Sequence, residues 1–400
     1  MPIPLLILSD APTSGTGLGR ICRDLAVRIH ANLSDVYRVG TLGCFGSYSR
    51  ALTFPQYDIQ MSDWVIGNLP EVWSDFAGEE KGIILTIWDS SRLLWFSRPN
   101  NCADPRLKKF LQAGLFERWG YVPIDATGVN DKLTGIIKYT MEGFDRILAY
   151  SKWAEDIVHR TLGPRLDIES LPHGIDTSVF FPRPRVQARH SFGQKLGAKW
   201  VRGKKNGQFM SIPDDVFLVG IVATNQIRKD WGLGFATFAE IVKQRRAMLW
   251  IKIDVQERHW SIPALVTDYG VAENVIVTIK DYTDEEMAWA YSACDVTLGI
   301  GLGEGYGYPI FESLACGTPC IHGNYGGAPE HMDVSMRIAQ IADRLEGPYN
   351  CRRMVYDPQE WTDAALHLMG SRSGKPLLPA HLDWNNLWPR WEQWLRAGVK

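Results

Sequence analysis

Four hundred residues, 45% of them hydrophobic and 22% charged, are enough for two domains with separate cores. A net charge of −2 excludes a chain that binds polyanions through its overall charge, and seven cysteines without Cys-x-x-Cys or Cys/His spacing argue against a disulfide framework or a zinc site. No apolar run approaches the ~20 residues needed to span a bilayer, so a soluble, cytoplasmic chain in a reducing compartment is expected.

The N-terminus lacks a basic n-region, and its short apolar run over 3–8 reads as a first buried strand rather than a signal peptide. A glycine loop follows, with Gly15, Gly17, Gly19 and Arg20, and then a helix over 21–31. Strand, glycine loop and helix in that order let a phosphate approach backbone N–H groups closely. The spacing is not the dinucleotide fingerprint, and no acidic residue stands at a clean strand end about 20 residues on, which weakens a nicotinamide reading. Further strands are expected over 64–67, 82–88, 121–124 and 146–150, with helical patterns between the later ones. This is the rhythm of a doubly wound parallel sheet. Asp89 and Asp125 stand at strand ends, where ligands sit in such sheets. Each fits a helix N-cap, and each equally fits a carboxylate that holds a sugar or acceptor hydroxyl.

From 181 to 206 the chain carries Arg183, Arg185, Arg189, Lys195, Lys199, Arg202, Lys204 and Lys205 without an acidic residue. The run reads either as a solvated linker or as a local positive field that steers a polyanionic acceptor such as DNA. A buried strand over 216–223 then leads to Arg228 and Lys229, a basic pair suited to a diphosphate, and to an amphipathic helix through 242. Strands over 248–254 and 275–278, a helix after Pro263 and a capping-box helix start at Thr283 lead to a strand ending at Ile300.

That strand feeds Gly301-Leu-Gly-Glu-Gly-Tyr-Gly-Tyr-Pro309, with Pro309 at a helix start and Gly317 at its end. A glycine turn into a helix N-terminus offers unpaired N–H groups and the positive end of the helix dipole to an anion. Glu304 in the loop and Glu312 in the first turn of the helix, with seven residues between them, add two acceptors suited to ribose and sugar hydroxyls. At the C-terminus, tryptophans at helical spacing with Pro389 at a helix start read as a packing helix.

The complete string, with Ala315-x-Gly317-x-Pro319 and Gly326-Gly327-x-Pro329-Glu330, resembles the E-x7-E signature of retaining GT-B glycosyltransferases of family 4, the glycosyl transferases group 1. Ala149-Tyr-Ser-Lys-Trp-Ala154 and the segment from His173-Gly-Ile-Asp176 to Pro182 resemble two further landmarks of that family. The resemblance implies an α/β GT-B fold of two facing Rossmann-like domains: an acceptor domain over 1–182 and a nucleotide-sugar domain over 183–385 that opens with the basic junction 183–206. A helix over 386–400 would cross back to the N-terminal domain. It implies transfer of a sugar from a UDP- or GDP-sugar to an acceptor hydroxyl of a glycan or of a hydroxymethylated base in DNA, with no metal and no further cofactor. Glu312 would bind the ribose and Glu304 the donor sugar near its anomeric centre. Arg228 and Lys229, with the backbone at Gly305, Tyr306 and Gly307, would stabilise the leaving diphosphate. Gly17, Gly19 and Arg20 match the family's N-terminal diphosphate loop, and Asp89 and Asp125 would hold hydroxyls. His173, a lone histidine beside glycine in a loop, reads as a structural hydrogen-bonder. Two other classes stay open: a phosphorylase or epimerase on the same fold, and a non-catalytic nucleic-acid-binding protein built on the basic run.

Overall fold

The computed structural model describes residues 1–62, 65–164, 167–198, 208–347, 349–371 and 374–398. The chain divides into two compact units: Met1–His173 with Glu346–Cys351 and Trp388–Lys400, and Gly174–Leu345 with Arg352–Leu387. Each is built on a parallel sheet, and the order of its strands determines where a ligand can sit.

In the first unit β1 (Ile3–Asp10), β2 (Tyr37–Cys44), β3 (Gln56–Asp58), β6 (Gly82–Thr86), β7 (Phe116–Val122), β8 (Arg146–Ala149) and β9 (Asp167–Ser170) form a sheet in the order β3-β2-β1-β6-β7-β8-β9. Every pairing in it is parallel. Central parallel strands are covered on both faces, and Leu5, Leu6, Ile7 and Leu8 of β1 are all fully buried. Trp73, Trp88, Phe96, Phe116 and Phe144 pack into the same core as Leu6 and Leu8.

Three details differ from the sequence reading. Residues 65–66 do not join this sheet: β4 (Met61–Ser62) and β5 (Val65–Ile66) make a small antiparallel pair, and Trp64 lies outside the described residues. The place beside β1 goes to β2, whose Gly40 accepts the Phe76 ring so closely that a Cβ there would lie 2.8 Å from it. The first helix begins at Gly17 rather than at 21, because Thr16 caps it by accepting from the Gly19 N–H at 3.1 Å.

The second unit holds β10 (Phe217–Val222), β11 (Ala247–Lys252), β12 (Val275–Thr278), β13 (Val296–Gly299), β14 (Cys320–Gly323) and β15 (Arg337–Ile338) in the order β12-β11-β10-β13-β14-β15, again all parallel. Trp231, Phe235, Trp250, Tyr291 and Phe311 fill its core without exposure. The capping box forms as expected: the Thr283 N–H donates to Glu286 at 2.8 Å, and the Glu286 N–H to Thr283 Oγ1 at 3.2 Å. A separate hairpin, β16 (Ala342–Glu346) with β17 (Cys351–Val355), stands outside both sheets.

The last helix, Trp384–Ala397, starts before Pro389, which lies inside it. Asp383 caps it instead, its carboxylate accepting from the Asn385 N–H at 2.7 Å and its carbonyl from the Leu387 N–H at 2.9 Å. Pro389 removes one intrahelical bond, to the carbonyl four residues back. The tryptophan stripe packs, as its spacing suggests. Trp391 Nε1 donates to the Pro172 carbonyl at 2.9 Å, and Trp394 lies against Trp119 and under the Arg146 guanidinium, 4.1 Å from its ring centre. No helix among the described residues is long and apolar enough to cross a membrane.

Candidate functional site

In a doubly wound sheet, ligands bind beyond the carboxyl ends of the strands where the strand order reverses. In the second unit that point lies between β10 and β13. The loop after β10 carries Arg228 and Lys229, and the loop after β13 is Gly301 to Gly307. The two loops are joined by backbone: the Asp230 N–H donates to the Ile300 carbonyl at 2.8 Å, the Leu302 N–H to the Arg228 carbonyl at 3.0 Å, and Lys229 bridges Gly301. Asp230 caps the helix Trp231–Gln244 through the Leu233 N–H at 2.9 Å, which fixes the turn holding the basic pair.

Glu304 receives both cations. Its carboxylate pairs with Lys229, and Arg228 Nη1 lies 3.3 Å from each of its oxygens. Burial alone would raise this carboxyl, but Lys229, then Arg228, overcome that and hold it at about 2. Its loop is clasped from the other side, where the Gly327 N–H donates to the Glu304 carbonyl at 2.8 Å. Gly326 sits at φ +102°, and a Cβ there would lie 2.4 Å from that same carbonyl oxygen. Gly326 is therefore a steric requirement of the Glu304 loop.

The helix Tyr308–Ala315 begins after Gly307, at φ 92° and ψ 72°, with Pro309 in its first turn. Glu312 thus falls one turn later than the sequence suggested, buried to 4% exposure, and accepts from the Tyr291 hydroxyl at 2.8 Å. Ser313, next along, accepts from Thr297 Oγ1 of β13 at 2.7 Å and donates to the Thr318 carbonyl at 2.9 Å, which locks the helix to its strand. Tyr306 turns inward onto Phe311, with ring centres 4.5 Å apart, so backbone rather than side chain is what Gly305, Tyr306 and Gly307 present to a ligand.

His322 went unnoticed in the sequence. It lies on β14, 1% exposed, its Nδ1 2.5 Å from the Gly299 carbonyl at the end of β13, so Nδ1 carries the proton of that bond. Burial pushes its pKa down, and the Gly299 bond and Glu304 pull it partway back.

In the first unit the strand order reverses between β1 and β6. Here the structure adds Asp10, another residue the sequence reading passed over. Buried to 5% exposure, its carboxylate accepts from Trp88 Nε1 at 2.9 Å and from Thr16 Oγ1 at 2.6 Å. Asp10 thereby orients the cap that places Gly17, Gly19 and Arg20 in the first turn of the helix Gly17–Asn32. Asp89 is exposed, just past β6, and makes no capping hydrogen bond to the turn Ser90–Arg92; Asp125 is half-buried beyond the end of β7, outside any helix. Asp89 thus holds the N-cap position of a short 3-10 turn without a side-chain bond to it, and Asp125 starts no helix. His173 is 1% exposed and 3.0 Å from the Tyr121 hydroxyl, a structural position.

Among the described residues of the basic run, two of the four charges are compensated by one carboxylate. Arg185 and Arg189 both pair with Asp295, Arg185 through Nε at 2.9 Å. Arg189 is fully buried and also donates to the carbonyls of Ala293, Pro213, Asp214 and Val216. Arg183 lies over the rings of Phe181 and Trp289, and Lys195 over Trp289 at 4.8 Å. Lys199, Trp200, Arg202, Lys204 and Lys205 lie outside the described residues.

Two Rossmann-like units, each with its strand-order reversal, make this a GT-B fold, and solved structures of that class match it end to end. Sucrose-phosphate synthase from Thermosynechococcus elongatus superposes with a TM-score of 0.69 at 15% identity, over 99% of this chain and 98% of that one. Anabaena HepE, solved with UDP-glucose, does so with a TM-score of 0.69 at 12% identity, over 99% and 100%. Residues 235–333 match the family glycosyl transferases group 1, so within this GT-B fold that stretch of the second unit is similar to group 1 glycosyltransferases. Among relatives in sequence, N-acetyl-alpha-D-glucosaminyl L-malate synthase of Bacillus anthracis is 25% identical over 207 residues, 52% of this chain and 49% of the relative. The GDP-mannose-dependent alpha-(1-6)-phosphatidylinositol monomannoside mannosyltransferase of Mycolicibacterium smegmatis is 25% identical over 268 residues, 61% and 62% of the two chains. The matched stretches thus span between about half and three-fifths of these relatives.

Proposed function

We propose that the chain is a retaining glycosyltransferase that moves a sugar from a UDP- or GDP-sugar to an acceptor hydroxyl. The observation that carries this reading is the convergence of Arg228 and Lys229 on Glu304 at the strand-order reversal of the family-matched unit. Two cations against one carboxylate leave one positive charge in excess, beside a helix N-terminus, where a departing diphosphate develops negative charge. Arg228 takes two phosphate oxygens and Lys229 acts as a point charge, with the N–H groups around Gly305, Tyr306 and Gly307 completing the anion site. Glu312, held by Tyr291, accepts from the ribose hydroxyls, and Glu304 meets the donor sugar near its anomeric carbon. Asp89 and Asp125 hold hydroxyls, and the helix start at Gly17, Gly19 and Arg20, with no acidic residue in its first turn, is assigned to phosphate as well.

The leaving phosphate itself takes the acceptor proton, since no side chain in this arrangement is placed as a nucleophile, and no metal is assigned a step. The relatives named for GDP-mannose and the structural neighbour holding UDP-glucose support either base in the donor. A thermal-shift comparison of UDP, GDP, ADP and their sugar conjugates tests the reading. A ligand at a hundred times its Kd stabilises by about 2.7 kcal/mol, and Glu312→Ala removes that shift. A wild-type chain that no nucleotide stabilises, or a Glu312→Ala chain stabilised as before, overturns it. Steeply salt-dependent binding of DNA without consumption of any sugar nucleotide would instead mark a nucleic-acid-binding protein.

A further inference from the structure

The reading above gives His322 no task, yet a buried imidazole is a costly residue with which to fill a strand. Its Nδ1 donates to the Gly299 carbonyl at 2.5 Å, so in the neutral ring Nε2 carries the lone pair. Nε2 is closed off from solvent and has no hydrogen-bond partner among the described residues. A buried acceptor left without a donor costs about 1–3 kcal/mol, and a leucine on β14 would fill much the same space without that cost. What the imidazole supplies and a leucine does not is the Nδ1 bond.

That bond falls at the root of the ligand loop. Gly299 is the last residue of β13 and stands opposite His322 in the sheet. A Cβ at Gly299 would lie 3.2 Å from Nδ1 and 3.2 Å from Ile310 Cγ1, so the bare backbone is what lets the ring come in close. Beyond Gly299 the loop is held by backbone: the Ile300 carbonyl accepts from the Asp230 N–H at 2.8 Å, the Leu302 N–H donates to the Arg228 carbonyl at 3.0 Å, and the Glu304 carbonyl accepts from Gly327. The segment that carries Glu304 is therefore anchored at its root by a side chain that can titrate.

Charge ties the same ring to the ligand site. Burial, above all, holds its pKa below the usual imidazole value; the Gly299 bond and Glu304 raise it, and Lys229 lowers it further. The other charged or titratable groups on the elements packed around it are turned elsewhere. Arg337, its neighbour on β15, donates to the Met332 carbonyl at 2.9 Å, Glu312 accepts from Tyr291, and Tyr356 closes on Gly323. Asp333, and Glu360, Asp363 and His367 of the helix Pro358–His367, are exposed. We infer that His322 is a positioning residue of the donor site: its Nδ1–H holds the root of the Glu304 loop through the Gly299 carbonyl, and its uncharged Nε2 keeps a third cation out of the cluster of Arg228, Lys229 and Glu304. An anion bound at that cluster favours a proton on the ring, so donor binding is coupled to proton uptake in acid. The coupling rests on the donor reading above; the anchoring of the loop does not.

The full chain is titrated by calorimetry with UDP-glucose and GDP-mannose, whose diphosphate diesters keep their charge, at pH 7.5 and pH 5, on either side of the ordinary imidazole pKa. His322→Asn, whose Nδ2 can take the place of Nδ1, keeps the bond and loses the titration; His322→Leu keeps the bulk and loses both. At pH 7.5 the Asn variant binds the donor within about twofold of the native chain, and the Leu variant binds it about tenfold more weakly, the worth of one hydrogen bond. Between pH 7.5 and pH 5 the affinity of the native chain rises relative to that of the Asn variant. In hydrogen exchange without ligand, the Leu variant loses protection at the Asp230 and Leu302 amides and the Asn variant keeps it. Native affinity or native protection in the Leu variant, an Asn variant as weak as the Leu variant, or parallel pH profiles of the native and Asn chains overturns the assignment. If the Leu variant does not fold, the Asn variant and its pH profile decide alone. A native chain that binds neither donor, with protection lost in the Leu variant and kept in the Asn variant, overturns the transfer reading and leaves the anchoring role standing.

Discussion

Replacing Glu304 by Gln keeps the shape of the side chain and removes its charge, leaving Arg228 and Lys229 facing a neutral group. The carboxyl is held at about 2 against an ordinary 4.5. Because the side chain is only 13% exposed, solvent screening takes little from its interactions. A depression of that size corresponds to about 3 kcal/mol of stability at neutral pH. A depressed carboxyl contributes fully above its unfolded pKa and loses its contribution as the pH falls through the folded one. The Gln variant should therefore be less stable than the native chain by on the order of 3 kcal/mol at pH 7, with the gap shrinking below about pH 4.5 and roughly halved near pH 3. Urea unfolding followed by tryptophan fluorescence at pH 7, 5 and 3 measures the gap. The same variant, with both cations released toward phosphate, should bind UDP or GDP more tightly while losing turnover. Equal stability at pH 7, or a gap that stays constant down to pH 3, would refute the claim that Arg228 and Lys229 hold Glu304 ionised.

Other substitutions test the supports of the site. Gly326→Ala forces a Cβ against the Glu304 carbonyl at a positive φ, and should cost about 1–3 kcal/mol and lower turnover, read from melting curves and donor kinetics. Asp10→Asn weakens the bond that orients Thr16, and should destabilise by about 1 kcal/mol with a loss of protection at the first-helix amides in hydrogen exchange; unchanged protection would separate Asp10 from the cap. Arg189→Met leaves Asp295 with Arg185 alone and four carbonyls without their donor, and should cost about 3–5 kcal/mol in urea unfolding while leaving the salt dependence of any DNA binding unaltered.

What the sequence disclosed and what it hid follow from the range of the interactions involved. The strand, glycine turn and Pro309 helix start are local, as is the capping box at Thr283, and both were legible. The basic pair at the end of β10 was legible by position, but its partner was not: Glu304 lies 75 residues beyond Lys229. The partner of the first arginines of the basic run was hidden for the same reason, since Asp295, which answers Arg185, is 110 positions away. β2 escaped notice because Gly40 and Gly43 dilute its apolar pattern, although both glycines are there to let Phe76 and Ala11 approach. Thr16 was hidden among glycines, and only the Asp10 carboxylate shows that the loop is already the first turn of a helix.

Asp295 and Gly299 stand at the two ends of β13, a strand of four residues. At about 3.3 Å per residue they are about 13 Å apart. One end is gripped by Arg185 and Arg189 from the segment that opens the second unit, the other by His322, and Gly301 follows at once. Such a short strand, paired to β10 at one end and to β14 along the rest, should behave as a strut between the arginine clamp and the Glu304 loop. A pull on the segment around Arg189 should therefore reach the ligand loop as displacement through a single four-residue strand.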